Sequence, residues 1–307
     1  MADGAAVRAA LTGGQWRCER VLRTVTDVSV CTVREPGGRT GVLKVATAPG
    51  AIAGLRRERA VLERLSADAR LGAWRTLLPV PLDGGDAGPG AFLLTSRLPG
   101  TDAAMLPVAG GRLTAAAFGA MSPLHRLDRT ARRVDDSLLE RWVNLPAERI
   151  RRALPSCDSV QRLTEVLRGE LAGRSLTLGW AHGDLHPGNL LVSAAGQVTG
   201  IVDWGEASER DLPVLDLAFW LLAADAAGQQ REFGERVAAR LSHGRVWTPA
   251  ETRRLDGATD GLADGRTVLL LAWLRHVASN LANTNCAENV PWLRRNIVAV
   301  LREVSRG

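Results

Sequence analysis

This chain of 307 residues has 39 residues of Lys or Arg, yet Lys44 is its one lysine. Arginine serves almost everywhere a cation is tolerated. A lone lysine therefore marks a position that needs a compact ammonium on a slim stem and would not accept a planar guanidinium. Cysteine is scarce as well: Cys18, Cys31, Cys157 and Cys286 lie far apart with no Cys-x-x-Cys pair, so neither a disulfide framework nor a zinc module is indicated. No apolar run reaches the length of a membrane span; the longest, around Val268 to Leu274, is too short, and no membrane association is expected. Met1-Ala2-Asp3-Gly4 has no basic region ahead of an apolar core, so no secretory leader is expected and the expected location is cytoplasmic. Internal repeats and low-complexity tracts are missing. The net charge of +6 and pI near 10.2 could suggest nucleic acid, but basic residues are interspersed with acidic ones in Arg56-Arg57-Glu58-Arg59 and Arg231-Glu232. No stripe of basic and aromatic residues supports a nucleic-acid partner. A hydrophobic content of 46% with 23% charged residues is that of an ordinary globular protein, long enough for one large domain or two lobes.

What is present is concentrated between Trp180 and Ala218. Ala181-His182-Gly183-Asp184-Leu185-His186-Pro187-Gly188-Asn189 is followed by Ile201-Val202-Asp203-Trp204-Gly205. Two carboxylates and one carboxamide thus sit on turns beside short apolar runs, a layout suited to holding magnesium and deprotonating an alcohol. Phosphoryl transfer needs a carboxylate to accept the hydroxyl proton and oxygen ligands for the metal at the phosphates. The protein-kinase catalytic loop places its Asp five positions before its Asn, with a metal-binding Asp-Phe-Gly further on. Here Asp184 precedes Asn189 by five positions, and Asp203 lies fourteen beyond Asn189. Two plainer readings compete. His182 and His186 are four apart, as in a helical zinc pair, but Gly183, Pro187 and Gly188 oppose a continuous helix. Gly-Asp and Pro-Gly also mark ordinary surface turns, with Asp203 ending a strand.

His-Gly-Asp together with His-Pro-Gly-Asn and Val-Asp-Trp-Gly resembles the aminoglycoside phosphotransferase and choline kinase-like family of small-molecule kinases. The resemblance implies Asp184 as catalytic base, Asn189 and Asp203 as magnesium ligands, and ATP as phosphate donor. It also implies that Asp216, in Asp211-Leu212-Pro213-Val214-Leu215-Asp216, is a buried brace bonded to backbone N–H groups of the catalytic loop. Lys44 fits the same picture. Gly41-Val42-Leu43-Lys44-Val45-Ala46 is similar to the Val-Ala-Ile-Lys context in which a kinase strand presents the lysine that grips the phosphates.

Along the chain, Arg20 to Val25, Val28 to Arg34 and Thr40 to Ala46 read as strands, with Pro36-Gly37-Gly38 as a turn. Thr26-Asp27-Val28-Ser29 would lie over the phosphates and contains no glycine, unlike the loop of protein kinases. From Ala51 to Ser66, Leu55, Val61, Leu62 and Leu65 fit one helical face. The resemblance points to Glu58 on this helix as the partner of Lys44, with Glu63 as substitute and surface i,i+4 pairing as the plain alternative. Leu77 to Pro81 and Ala91 to Thr95 read as strands around an Asp83-Gly84-Gly85-Asp86 turn. After them comes Ser96-Arg97-Leu98-Pro99-Gly100, which the resemblance makes an interlobe hinge, with the Ser96 carbonyl and Leu98 N–H pairing with adenine.

Beyond Gly100 the texture is helical: Leu113 to Leu127 (with Pro123 expected to kink or restart it), Leu138 to Ile150, Val160 to Leu171, Leu215 to Ala224, Arg231 to Leu241, Arg266 to Ala282 and Trp292 to Val304. Connections around Pro146 and Pro155 read as loops. His125 is expected as a packed or capping residue. Asn280, Asn283, Asn285 and Asn289 are candidates for a substrate cleft, against their more usual role as caps.

The expectation is an α+β, two-lobed protein kinase-like fold, with a nucleotide-binding lobe over 1–97, a hinge at about 96–100 and a catalytic and substrate-binding lobe over 98–307. The expected activity is ATP- and magnesium-dependent transfer of phosphate to a hydroxyl of a small molecule. Alternatives are a Ser/Thr hydroxyl on a biosynthetic peptide, or a pseudokinase-type nucleotide-binding module. A polycationic acceptor would require an acidic cleft, for which Glu206, Glu209 and Asp211 are nearby in sequence.

Overall fold

The computed structural model of the chain describes residues 16–22, 27–106, 111–155, 158–224, 231–258, 261–262 and 264–306. In chain order, strands β1 (Arg17–Leu22), β2 (Val28–Arg34) and β3 (Thr40–Ala46) lead into helix α1 (Pro49–Ala67), then β4 (Pro81–Ala87), β5 (Gly90–Ser96) and the two-residue β6 (Thr101–Asp102). There follow α2 (Gly111–His125), β7 (Thr130–Arg133), α3 (Leu145–Ala153), α4 (Ser159–Leu171), β8 (Ser175–Ala181), β9 (Leu190–Val192), β10 (Val198–Ile201) and β11 (Ser208–Asp211). The chain ends with α5 (Pro213–Ala224), α6 (Phe233–Ser242), α7 (Pro249–Asp256), α8 (Gly265–Asn283) and α9 (Ala299–Arg306). The fold class is α+β. Two compact units result: one runs to Met105 and takes in Gly188–Ala207, and the other comprises Leu106–Pro187 and Ser208–Gly307.

The first unit is built on a five-stranded antiparallel sheet in the order β1-β2-β3-β5-β4. Because strand side chains alternate, Leu43 and Val45 join Cys31, Val33 and Leu94 in a core on one face. Lys44 and Ala46 fall on the other, where Ala46 and Leu93 receive Leu55 of α1. Helix α1 buries Leu55, Glu58, Leu62 and Leu65, spaced three and four apart on a single face. A small sheet, β10-β9-β6, completes the unit.

The Asp83-Gly84-Gly85-Asp86 stretch, expected as a turn, is the interior of β4, and the reversal falls after Ala87 at Gly88, whose φ is 58°. β4 is an edge strand, so its weak strand formers face little competition for the ladder. Leu77, expected to begin a strand, ends a 3-10 stretch, Ala69–Leu77.

The second unit has a three-stranded sheet, β11-β8-β7, and the remaining helices. Its core runs along α5, buried from Pro213 to Leu222, and along α8, buried from Val268 to Leu274. Pro146, expected in a loop, lies inside an unbroken helical run over 136–153, directly after a π-turn at Glu140–Asn144, the kind of local irregularity in the ladder that accompanies a proline within a helix. Helix α2 continues through Pro123 to His125. Trp292 to Val304 lies within one unbroken helical run over 290–306, which widens to a π-turn at Arg294–Val298 before α9. Among the described residues, no helix is long and apolar enough to cross a membrane.

Candidate functional site

In the first unit, β3 and α1 bring Lys44 and Glu58 together. Lys44 Nζ lies 2.8 Å from both Glu58 carboxylate oxygens and 3.1 Å from Asp203 Oδ1. Burial acts to lower the Lys44 pKa, but the charges of Glu58 and Asp203 outweigh it and hold the ammonium above its usual range. Burial likewise pushes the Glu58 carboxyl up, against the pull of Lys44. Glu63 is elsewhere, more than half exposed and paired with Arg59 at 2.7 Å. Helical rotation explains the choice: Glu58 shares the face of Leu55 and Leu62, and Glu63 does not.

Asn189 and Asp203 are brought to one place by the β9–β10 hairpin. Leu190 pairs with Ile201, and the Val202 N–H donates to the Asn189 carbonyl at 3.0 Å, so the two side chains are carried just past the first rung. Asp203 sits in the left-handed region at φ 67°, ψ 65°, one of two non-glycine residues with positive φ among those described. Such a conformation is costly for a residue with a Cβ and marks a side chain whose direction is imposed by its surroundings. The next residue supplies the constraint. Trp204 is fully buried, donates its backbone N–H to Glu58 at 3.4 Å and its indole N–H to Ile201 at 2.8 Å, and meets Trp74 edge-on.

The second unit holds Asp184 on the turn that follows β8. Its scaffold is Asp216, which accepts the backbone N–H groups of His182 at 2.6 Å and Gly183 at 2.8 Å. His125 Nε2 lies 2.9 Å from the same carboxylate. Burial works to raise the Asp216 pKa, yet the bond to His125 and the charges of His125, His182 and Arg275 leave it below the usual carboxylate range. His182 Nδ1 in turn accepts the Asp184 N–H at 3.3 Å, and Gly183 supplies the positive φ (85°) that the turn requires. Asp184 is half-buried, with its Oδ2 3.7 Å from His186 Nε2.

Ser96 closes β5, donating its N–H to the Val80 carbonyl and accepting the Val80 N–H on Oγ. Leu98 packs against Gly200, where an added Cβ would fall 2.6 Å from Leu98 Cδ1. Thr26 and the preceding residues from Arg23 lie outside the described residues, as do the side chains of Asn283 and Asn285. Asn280 donates to the His276 carbonyl, and Asn289 caps the turn at Trp292, so both have structural duties. Asp211 is not available for a cationic ligand either: it is buried between Arg141 at 2.8 Å and Arg275 at 2.6 Å. Sequence reasoning missed an aromatic group around His186, made by Phe219, Phe233 and His276. These residues are far apart in the chain, and no local pattern joins them.

Residues 24–257 match the family model described as the phosphotransferase enzyme family. Over 72 residues the chain is 39% identical to the uncharacterized protein YcbJ of Bacillus subtilis, a stretch that spans 22% of this chain and 20% of that protein. Among solved structures, an aminoglycoside-3'-phosphotransferase of type VIII shares 23% identity, with a TM-score of 0.57 over 90% of this chain and 98% of its own. An aminoglycoside phosphotransferase from Streptomyces rimosus, in complex with ADP and streptomycin, shares 20% identity with a TM-score of 0.56, over 90% of this chain and 98% of its own. At these identities the likeness shows a shared, kinase-like fold.

Proposed function

Because this chain belongs to the phosphotransferase enzyme family, we propose that it transfers the γ-phosphate of ATP to a hydroxyl group of a small molecule, with magnesium as cofactor. The observation that carries this reading is the cluster of the one lysine, Lys44, with buried Glu58 and left-handed Asp203. Lys44, held by Glu58, binds the α- and β-phosphates as a fixed cation. Asn189 and Asp203 offer hard oxygen donors from adjacent positions of one hairpin, which suits a small divalent cation. Magnesium held there would supply neutralisation of charge on the phosphates. Asp184 accepts the proton of the acceptor hydroxyl as its oxygen bonds to phosphorus and ADP departs. Asp216 and His125 keep the Asp184 turn in one geometry, so that little reorganisation remains for the reaction. Ser96 and Leu98, at the exit of β5, are the residues whose main chain pairs with the base. Residues 1–97 form the nucleotide half; of 98–307, the stretch 188–207 that carries Asn189 and Asp203 belongs to the same compact unit as that half, and the remainder forms the acceptor half.

The test uses the full chain with ATP or GTP, magnesium and a pool of metabolites and peptides, searched by mass spectrometry for the gain of one phosphoryl group. The wild type yields a phosphorylated product, and Asp184→Asn reduces its formation by about a thousandfold or more. A raised melting temperature with nucleotide and magnesium, but no phosphorylated product from any pool, would sink the enzymatic reading in favour of a binding module.

A further inference from the structure

A row of three residues crosses the small sheet of the first unit. Asp102 of β6 lies opposite Leu191 of β9, which in turn lies opposite Gly200 of β10. Residues that face each other across antiparallel strands share a side of the sheet. Leu98 covers the Gly200 end of this row: a Cβ added to Gly200 would fall 2.6 Å from Leu98 Cδ1 and 3.2 Å from Leu191 Cδ1. Asp102 closes the other end.

Asp102 is half-buried yet poorly partnered. Its Oδ1 accepts the Ala104 N–H at 2.8 Å, capping the turn at Ala103–Met105, and it has no other hydrogen bond or ion pair among the described residues. Burial holds its carboxyl above the usual carboxylate range, and that one N–H offsets only part of the effect. Each carboxylate oxygen can accept two hydrogen bonds, so capacity for further donors remains on both. The rest of the row supplies none. Leu191 and Gly200 have no polar side chain, and Thr199 gives its hydroxyl proton to the Pro99 carbonyl at 2.6 Å.

A nucleotide presents an apolar ring, then a pair of hydroxyl donors, then anionic phosphates. The first unit offers complementary groups for each. Leu98 and Leu191 give apolar area at the exit of β5, and Asn189 stands two positions from Leu191, roughly 7 Å along the strand, at the proposed metal end. Resting on the proposed assignment of Leu98 to the base and of Asn189 and Asp203 to magnesium at the phosphates, we infer that Asp102 accepts the ribose hydroxyls of the nucleotide. It thereby selects ribonucleotides over deoxyribonucleotides. A carboxylate makes such bonds stronger than a neutral acceptor does, and a deoxy carbon would leave its charge without the donor.

Calorimetric titration of the full chain with magnesium and ATP, GTP and the 2'- and 3'-deoxy forms of each provides the test. The wild type binds the ribonucleotide about tenfold more tightly than at least one deoxy form. In Asp102→Ala the ribonucleotide weakens to the level of that deoxy form, and the ratio falls below about twofold. Asp102→Ser keeps a capping oxygen for the Ala104 N–H but has no second oxygen, so it loses the ratio while retaining the wild-type melting temperature. If Asp102→Ala does not fold, Asp102→Ser decides. A residue that serves only as a cap would lower every affinity alike. An unchanged ratio in the folded variants, or a wild type that binds ribo and deoxy forms equally, would overturn the assignment while nucleotide binding itself stands. Failure of all the nucleotides to bind would overturn it together with the base and phosphate assignments on which it rests.

Discussion

At the scale of single residues, the two titratable groups of most consequence are governed by their surroundings. Lys44 meets Glu58 through both carboxylate oxygens, within a sheet face that admits a slim stem. Lys44→Arg keeps the charge but not the shape, and ATP affinity should fall about tenfold or more, read by calorimetric titration. His276 makes the opposite case, a titratable group that folding keeps neutral. Its pKa lies near 3 in the folded chain and near 6.5 as an ordinary histidine. The unfolded chain therefore takes up a proton first, and stability is full above pH 6.5 and declines as the pH falls towards 3. His276→Gln should flatten that stretch of a melting-temperature profile, whereas an unaltered slope would show that another group is responsible. Lys44 stood out in the sequence as the one lysine, in a context similar to Val-Ala-Ile-Lys. The choice of Glu58 over Glu63 was not settled there, since it depends on how α1 is rotated against β3 and β5.

At the scale of elements, two short connections carry unusual demands. Gly100 has φ of 114°, and a Cβ there would lie 2.3 Å from Thr199 Oγ1 and 2.9 Å from the Val192 carbonyl oxygen. Thr199 Oγ1 also donates to the Pro99 carbonyl, tying this turn to the β9–β10 hairpin. Gly100→Ala should cost about 1–3 kcal/mol of stability by denaturant titration, from backbone strain and overpacking together. The Asp184 turn depends on Asp216 in a different way. Asp216→Asn removes a charged acceptor from two backbone donors and places an NH2 group near one of them. A loss of about 2 kcal/mol or more is expected, together with a larger fall in turnover than in ATP binding. Element identity was readable wherever an apolar period was long, as in α1, α4 and α5. Helix α7 was overlooked although Thr248 and Glu251 spell out a capping box, because its eight residues offer one buried side chain, Leu255, and so no periodic stripe.

At the scale of the whole chain, composition itself becomes a tool. With one lysine in 307 residues, an amine-acylating reagent has two classes of target, Lys44 and the N-terminal amine. ATP with magnesium should protect Lys44 from labelling and leave the N-terminus reactive, as peptide mass mapping will show. Equal labelling with and without nucleotide would contradict a phosphate-binding role. Part of the arginine excess is placed inside the fold: Arg141 and Arg275 both pair with Asp211 in the second unit.

The order Lys44, Asp184, Asn189, Asp203 and its spacings are properties of the linear chain, and they sufficed to indicate phosphate chemistry and a kinase-like fold. Local geometry constrains what a tight turn such as that at Gly183 can be made of, so it leaves a record in neighbouring residues. The partner of Lys44, the burial of Asp211 and the assembly of His186, Phe219, Phe233 and His276 were decided by tertiary packing. Contacts between residues tens of positions apart depend on helix rotation and on which surfaces bury each other. Neither quantity has a signature in any short stretch of sequence.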